Sequence, residues 1–277
     1  MMQTALLQIT SSDDPAANLE MVRTMIAEAA SQGAKFILTP EVTNCVSTSA
    51  TRQRQVLQHE EDDITLAGLR EQAANLGVWL LIGSLAIKTH DADGRFANRS
   101  FMIDPQGRIV ARYDKIHMFD VQVTETETFH ESSNYRPGSR AVIAETDFGK
   151  VGMTVCYDLR FPHLYAALAQ AGARILTIPS AFSPVTGAAH WEPLLRARAI
   201  ETGCWVIAPC QTGTHPTTRG RVRETYGHGL VVSPWGEVLI DAGTKPGIHF
   251  FDLDDTSVSK ARGRVPSLSH VRPFDGP

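Results

Sequence analysis

The sequence predicts an α/β protein built as a four-layer α-β-β-α sandwich, two mixed sheets in halves related by a pseudo-twofold axis. Two internal echoes carry this expectation. Gly33-Ala34-Lys35-Phe36-Ile37-Leu38-Thr39-Pro40-Glu41 resembles Gly172-Ala173-Arg174-Ile175-Leu176-Thr177-Ile178-Pro179-Ser180, and each follows an alanine-rich helical stretch. Phe101-Met102-Ile103-Asp104-Pro105-Gln106-Gly107-Arg108-Ile109-Val110 resembles Leu230-Val231-Val232-Ser233-Pro234-Trp235-Gly236-Glu237-Val238-Leu239. Gly33 maps to Gly172 and Pro105 to Pro234, so order and spacing both repeat. Two such halves, each a sheet with helices on one face, bury their bare faces together.

The elements follow in order. Leu6 to Ile9 opens as a strand, and Asp13-Asp14-Pro15 is a helix start. Leu19, Val22, Ile26 and Ala29 recur at helical spacing as far as Gly33. Phe36 to Glu41 is a strand that ends in a carboxylate. A helix runs from Ile64 to Leu76, with Gly77 behind it, and Val78 to Ile82 is a strand. Arg99 to Ile103 and Arg108 to Tyr113 form a hairpin across Asp104-Pro105-Gln106-Gly107. Thr124 to Gly138 is polar and reads as a long loop. Ala141 to Glu145 pairs with Val151 to Val155. Pro162 opens a helix over Leu164 to Ala171, Arg174 to Ile178 is a strand, and His190 to Thr202 is a helix closed by Gly203. Trp205 to Ala208, Leu230 to Val232, Val238 to Asp241 and Ile248 to Leu253 complete the strands.

With 277 residues, 43% hydrophobic and 20% charged, the chain suits a single domain across residues 1–277. Residues 262–277 form a tail with three prolines and no core of its own, expected to pack on a partner subunit in a homodimer or higher homo-oligomer. Net charge is -4 and the basic residues are scattered. No nucleic-acid partner is expected from that pattern. No membrane partner is expected either, because no apolar run has the length of a span. The first residues lack the basic flank and apolar core of a signal peptide, which points to the cytoplasm. Cys45, Cys156, Cys204 and Cys210 show no metal-ligand spacing and are expected as free thiols.

Chemistry concentrates at Lys150-Val151-Gly152-Met153-Thr154-Val155-Cys156-Tyr157-Asp158-Leu159-Arg160-Phe161-Pro162. A buried strand breaks toward a helix here, and open α/β sheets place their sites at the carboxyl ends of strands. Cys156 is either a packed small hydrophobe or a nucleophile. Glu41 and Lys115 also follow strands, and together the three supply what acyl transfer needs. A carboxylate whose proton affinity burial has raised takes the thiol proton. An ammonium and the Tyr157 N–H then hold the oxyanion. His130-Glu131 begins like a zinc-binding H-E-x-x-H, but position 134 is Asn, and no histidines show ligand spacing. No metal or other cofactor is called for.

At these residues the sequence resembles the nitrilase superfamily of carbon–nitrogen hydrolases. Thr39-Pro40-Glu41, Tyr113-Asp114-Lys115-Ile116-His117-Met118-Phe119-Asp120 and Val155-Cys156-Tyr157-Asp158-Leu159-Arg160-Phe161-Pro162 carry the likeness, which spans roughly Leu6 to Phe251. The resemblance implies the αββα sandwich, a Glu41–Lys115–Cys156 site and a second glutamate at Glu131. It also implies that Arg160, Phe182 and Thr186, beside Tyr157, line the substrate pocket, with Arg160 suited to an α-keto-acid carboxylate. Residues 187–202 and Tyr226-Gly227-His228-Gly229 look most like the deaminated glutathione amidase branch, although that branch more often has serine at position 229. The implied substrate is a small α-keto-acid amide, deaminated glutathione, cleaved through a thioester to 2-oxoglutarate and cysteinylglycine. An ω-amidase acting on α-ketoglutaramate, another amide or nitrile specificity, and an inactive member of the fold stay open as alternatives.

Overall fold

The computed structural model describes residues 1–125 and 127–276. In chain order its elements are β1 (Met2–Gln8), α1 (Pro15–Ser31), β2 (Phe36–Leu38), α2 (Ala50–Val56), α3 (Ile64–Leu76), β3 (Trp79–Lys88), β4 (Phe96–Ile103) and β5 (Ile109–Asp114). Then come β6 (Asp120–Gln122), β7 (Thr128–His130), β8 (Val142–Thr146), β9 (Gly149–Met153), α4 (Pro162–Gln170), β10 (Ile175–Thr177), α5 (Pro184–Thr202) and β11 (Trp205–Ala208). The last are β12 (Thr212–His215), β13 (Arg223–Tyr226), β14 (Leu230–Val232), β15 (Val238–Asp241), β16 (Gly247–Leu253) and α6 (Asp255–Arg264). Short polar side chains cap α1, α2, α3 and α6. Asp14 accepts from the Ala16 and Ala17 N–H groups, and Asp63 from Leu66 N–H at 2.8 Å, satisfying donors that have no partner inside the helix.

Side-chain alternation along the strands sorts the layers. Ala5 and Leu7 of β1 and Ile37 of β2 join Val22 and Ile26 of α1 and Leu66 and Leu69 of α3 in one core. Their neighbours Leu6, Phe36 and Leu38 point the other way and join Val151, Met153 and Ile175 in a second core. That second core continues through Leu164 and Leu168 of α4 and Leu195 of α5. Helices, sheet, sheet and helices therefore stack in the expected order.

The two sheets repeat one plan. The first runs β16-β1-β2-β3-β4-β5 and the second β15-β14-β11-β10-β9-β8. Read in reverse, the second matches the first strand for strand. β1-β2-β3 and β9-β10-β11 are the parallel centres, and all flanking pairs are antiparallel. Even the register recurs, with Phe36 opposite Trp79 and Ile175 opposite Trp205. Both sequence echoes land on equivalent positions, β2 with β10 and the β4–β5 hairpin with β14–β15.

Some expectations need correction. The stretch read as a loop from Thr124 contains β7, which pairs with β6, and a 3-10 turn at Glu131–Ser133; three-residue strands are too short for a periodic signal. Helix α5 starts at Pro184, six residues before His190, because Pro184 occupies its first turn and the interior Pro193 is accommodated. Helix α2, the β12–β13 hairpin and α6 were not anticipated, and α6 takes up the first residues of the expected tail.

Candidate active site

Three chain segments meet at the carboxyl ends of the central strands. Cys156 lies three residues beyond β9 and opens a 3-10 turn, Cys156–Arg160. Its φ of 50° is left-handed, which costs a non-glycine residue about 1–3 kcal/mol and persists only where the surroundings impose it. The surroundings do so here. The Cys156 N–H donates to the Pro179 carbonyl at 3.0 Å. The fully buried Asp158 carboxylate accepts from Val155 N–H at 2.9 Å, the Tyr113 hydroxyl at 2.6 Å and His117 N–H at 3.1 Å, and it lies 2.6 Å from His117 Nδ1. Asp158 therefore fastens the turn to the end of β5.

Glu41 arrives from the other half. The turn after β2 folds tightly against Gly83, where an added Cβ would sit 2.0 Å from the Thr39 carbonyl oxygen and 2.5 Å from Pro179 Cβ; only glycine permits that approach. Val42, next to Glu41, also has a left-handed φ, 47°. Strain thus flanks the cluster on both sides. Glu41 Oε1 accepts from Lys115 Nζ at 3.0 Å and Asn98 Nδ2 at 2.8 Å, and Oε2 accepts from Ala181 N–H at 2.8 Å. Lys115, directly after β5, also donates to Glu131 at 2.8 and 2.9 Å. Glu131 Oε2 additionally accepts Phe119 N–H at 2.7 Å. The Cys156 thiol lines the same cavity as the Glu41 carboxylate and feels its charge.

Burial and charge set the protonation states. Burial pushes the Cys156 thiol up, and the Glu41 charge adds to this against the opposing pull of Lys115. Burial alone would raise Glu41 as well. The Lys115 ammonium and Arg223 guanidinium outweigh it and hold the carboxyl below its ordinary value, which corrects the expectation that burial raises it. Burial likewise disfavours the Lys115 ammonium, but Glu131 and Glu41 raise it well above normal. The resting cluster is thiol, carboxylate and ammonium, with the base ready to take a proton.

These groups line a cavity of about 230 Å³, together with Tyr157, Phe182 and Thr186. Arg160 packs over Phe182 and Tyr157, which line the cavity, at 5.5 and 6.0 Å and lies 3.2 Å from His190 Nδ1. Asp158 cannot pair with it, being committed to Tyr113 and His117. Sequence reasoning passed over Asn98, which donates to Glu41 and, at 3.5 Å, to Glu131; its signal was an amide inside an otherwise apolar strand start. It also passed over Arg221 and Arg223, which line the cavity and stand at alternate positions with Arg219. Away from the cavity, His59 and His90 stack at 4.2 Å beside Glu61, a grouping that sequence spacing does not reveal.

The branch motif at Tyr226-Gly227-His228-Gly229 lies outside the cavity lining. Tyr226 fills the space left by Gly187, where a Cβ would meet its ring at 2.3 Å. The His228 carbonyl accepts from Trp191 Nε1 at 2.8 Å. Both contacts seat α5, which carries Thr186. Gly229 is crowded by Leu6, Gln8 and Ala208, so its departure from serine concerns packing rather than substrate contact.

A thiol, a paired carboxylate and an ammonium in one cleft of an α-β-β-α sandwich are the parts that acyl transfer through sulfur requires. The chain belongs to the carbon–nitrogen hydrolase family, whose model matches residues 3–262. It is 38% identical over 269 residues to a deaminated glutathione amidase of Yersinia enterocolitica, covering 97% of this chain and 92% of that protein. The fold is similar to the NitFhit protein of C. elegans, with TM-score 0.89 and 33% identity; the alignment covers 98% of this chain and 65% of that longer one. It is also similar to a glutamate-to-glutamine variant of the Nesterenkonia sp. AN1 amidase, with TM-score 0.75, 26% identity, and coverage of 96% and 98%. In that structure acrylamide has added to the active-site cysteine.

Proposed function

We propose that this protein is an amidase that cleaves deaminated glutathione into 2-oxoglutarate and cysteinylglycine through a thioester on Cys156. Glu41 takes the thiol proton as Sγ attacks the amide carbonyl carbon. The oxyanion is held by Lys115 Nζ and the Tyr157 N–H, the Cys156 N–H being already committed to Pro179. The intermediate collapses, the C–N bond breaks, and the amine leaves with the proton from Glu41. Glu41 next deprotonates water, which attacks the thioester; the C–S bond breaks and sulfur recovers the proton. Glu131 positions Lys115 rather than moving a proton, since both its oxygens are occupied by Lys115 Nζ and Phe119 N–H.

One observation carries the chemistry: a single ammonium bridges Glu41 and Glu131 beside the thiol. The substrate rests on the name shared by relatives 36–38% identical over nearly the whole chain. Incubation with deaminated glutathione should release cysteinylglycine, and Cys156→Ala should abolish that release. A strong preference for α-ketoglutaramate would make it an ω-amidase instead. Equal, slow iodoacetamide labelling of all four cysteines would favour an inactive scaffold.

A cytoplasmic setting is supported by four free cysteines; no helix among the described residues is long and apolar enough to cross a membrane. Exposed Val265, Val271 and Phe274 support packing of the tail, residues 262–277, on a second copy in a homodimer. A monomeric elution profile would contradict this.

A further inference from the structure

We propose that His59, Glu61 and His90 form a binding site for a late first-row divalent cation, zinc above all, where the turn between α2 and α3 meets the β3–β4 connection. The site is separate from the chemistry proposed for Cys156, and the ion takes no part in that chemistry.

One donor atom from each of the three side chains lies within 4.8 Å of the other two. Zinc holds its ligands at about 2.0–2.1 Å, which places tetrahedral donors roughly 3.4 Å apart. Closing that difference takes about an ångström of side-chain movement. The His59 and His90 rings are stacked 4.2 Å apart and 2° from parallel, so they must tilt for their lone pairs to converge. His90 is exposed and has room to turn. Glu61 Oε1 already lies 2.9 Å from His90 Nε2. His59 Nδ1 is buried and has no hydrogen-bond partner. Buried polar atoms without partners are uncommon, and this ring keeps a nitrogen that the protein itself leaves unused.

The charge pattern singles out Glu61. Neighbouring carboxylates are taken by arginines: Glu60 by Arg99 and Arg112, Asp91 by Arg136, and Asp93 by Arg95. Among the described residues Glu61 has only His90 as an ion-pair partner. Two neutral imidazoles and a carboxylate form a donor set with a single negative charge and an open fourth position for water. Imidazole nitrogen suits zinc and its neighbours, whereas calcium takes an all-oxygen shell.

The backbone beneath these side chains is held by its own bonds. His59 pairs with Lys88 in an isolated parallel bridge. Lys88 N–H donates to the Gln58 carbonyl at 2.9 Å, and Asp62 N–H to the His59 carbonyl at 3.0 Å. Gln58 Oε1 accepts from Ile64 N–H at 3.1 Å, tying the turn to the start of α3. An ion bound by all three side chains would clip this turn to the β3–β4 connection through His90. That connection and the start of β4 hold the segment that carries Glu131. Arg95 Nη1 donates to the Ser132 carbonyl at 3.3 Å, and Phe96 N–H to the Asn134 carbonyl at 2.8 Å.

The test is calorimetric titration of zinc chloride into the protein, stripped with chelator and desalted, at about pH 7.5, where an ordinary imidazole is neutral. With three protein donors instead of the four of a structural zinc centre, one equivalent should bind with a Kd of about 1–10 μM. His90→Gln and Glu61→Gln, both at exposed positions where folding does not depend on the side chain, should each weaken binding about tenfold or more. Cys156→Ala should retain it. Zinc binding unchanged in His90→Gln would overturn the proposal, and a loss in Cys156→Ala instead would put the ion on the thiol of the cavity. Calcium binding as tight as zinc binding would also overturn it, by revealing an oxygen site. So would the absence of saturable zinc binding below about 100 μM.

Discussion

Replacing Glu131 by glutamine separates a positioning carboxylate from a proton-transfer one. Lys115 Nζ holds Glu131 at 2.8 and 2.9 Å and Glu41 at 3.0 Å, with the lysine side chain only 2% exposed. Glutamine keeps one oxygen. At the Oε2 position that oxygen still accepts from both Lys115 Nζ and Phe119 N–H, but the amide nitrogen then replaces Oε1, loses the second bond from Lys115 and sets its hydrogens against that ammonium and Asn98 Nδ2. A hydrogen bond to a charged group is worth about 1.5–3 kcal/mol, and an unpaired buried charge costs more. Taking roughly 3 kcal/mol off the stabilisation of the oxyanion by Lys115, at 1.36 kcal/mol per decade, gives about a hundredfold loss in kcat. The assay is steady-state hydrolysis of deaminated glutathione from about pH 2.5 to pH 9, with circular dichroism to verify folding at each pH. Glu131→Gln should keep the acid limb of the wild-type profile, because Glu41 remains the base. A kcat within threefold of wild type would show that Lys115 does not depend on Glu131. A loss as large as that of Glu41→Gln, with the acid limb gone, would make Glu131 the proton carrier and refute the assignment.

Two other outcomes follow from the same geometry. Glu41 is held below its ordinary value and so stays ionised as pH falls, until pH passes its depressed pKa; Lys115 and Cys156 are raised and keep their protons as pH rises. The kcat/KM profile should therefore be flat from about pH 5 to pH 8, with its acid limb below the ordinary glutamate range near 4.3; a limb centred near pH 6 would contradict the charge balance described. Asp158→Asn sets an amide hydrogen against donors from Val155, Tyr113 and His117. The loss of two charge-assisted bonds should cost about 3–5 kcal/mol and lower Tm by roughly 6–15 °C in a melting curve, and a shift under 2 °C would show that the turn is held by other contacts.

Much of this architecture is written locally. The helix over Ile64 to Leu76 is marked by the Asp63 cap and by Gly77, whose φ of 63° suits it to close the helix. The echo of residues 33–41 in 172–180 survives because both copies must make the same buried parallel strand and the same exit turn. Strand-end chemistry was legible for a related reason: Glu41 and Cys156 each place a reactive group after an apolar run, and Lys115 places one after the second strand of a hairpin. The β6–β7 hairpin was not legible, since its strands are three residues long and exposed on alternate positions.

The sequence alone determined the central strands and most of the helices, that they come in two matching halves, and which three reactive groups follow strands. Tertiary structure decided the rest, because each decision depends on what surrounds a group rather than on what it is. The Glu41 carboxyl moves down instead of up because Lys115 and Arg223 outweigh its burial. Arg223 reaches the cavity wall through a hairpin anchored by Asp13, across more than 200 residues of chain.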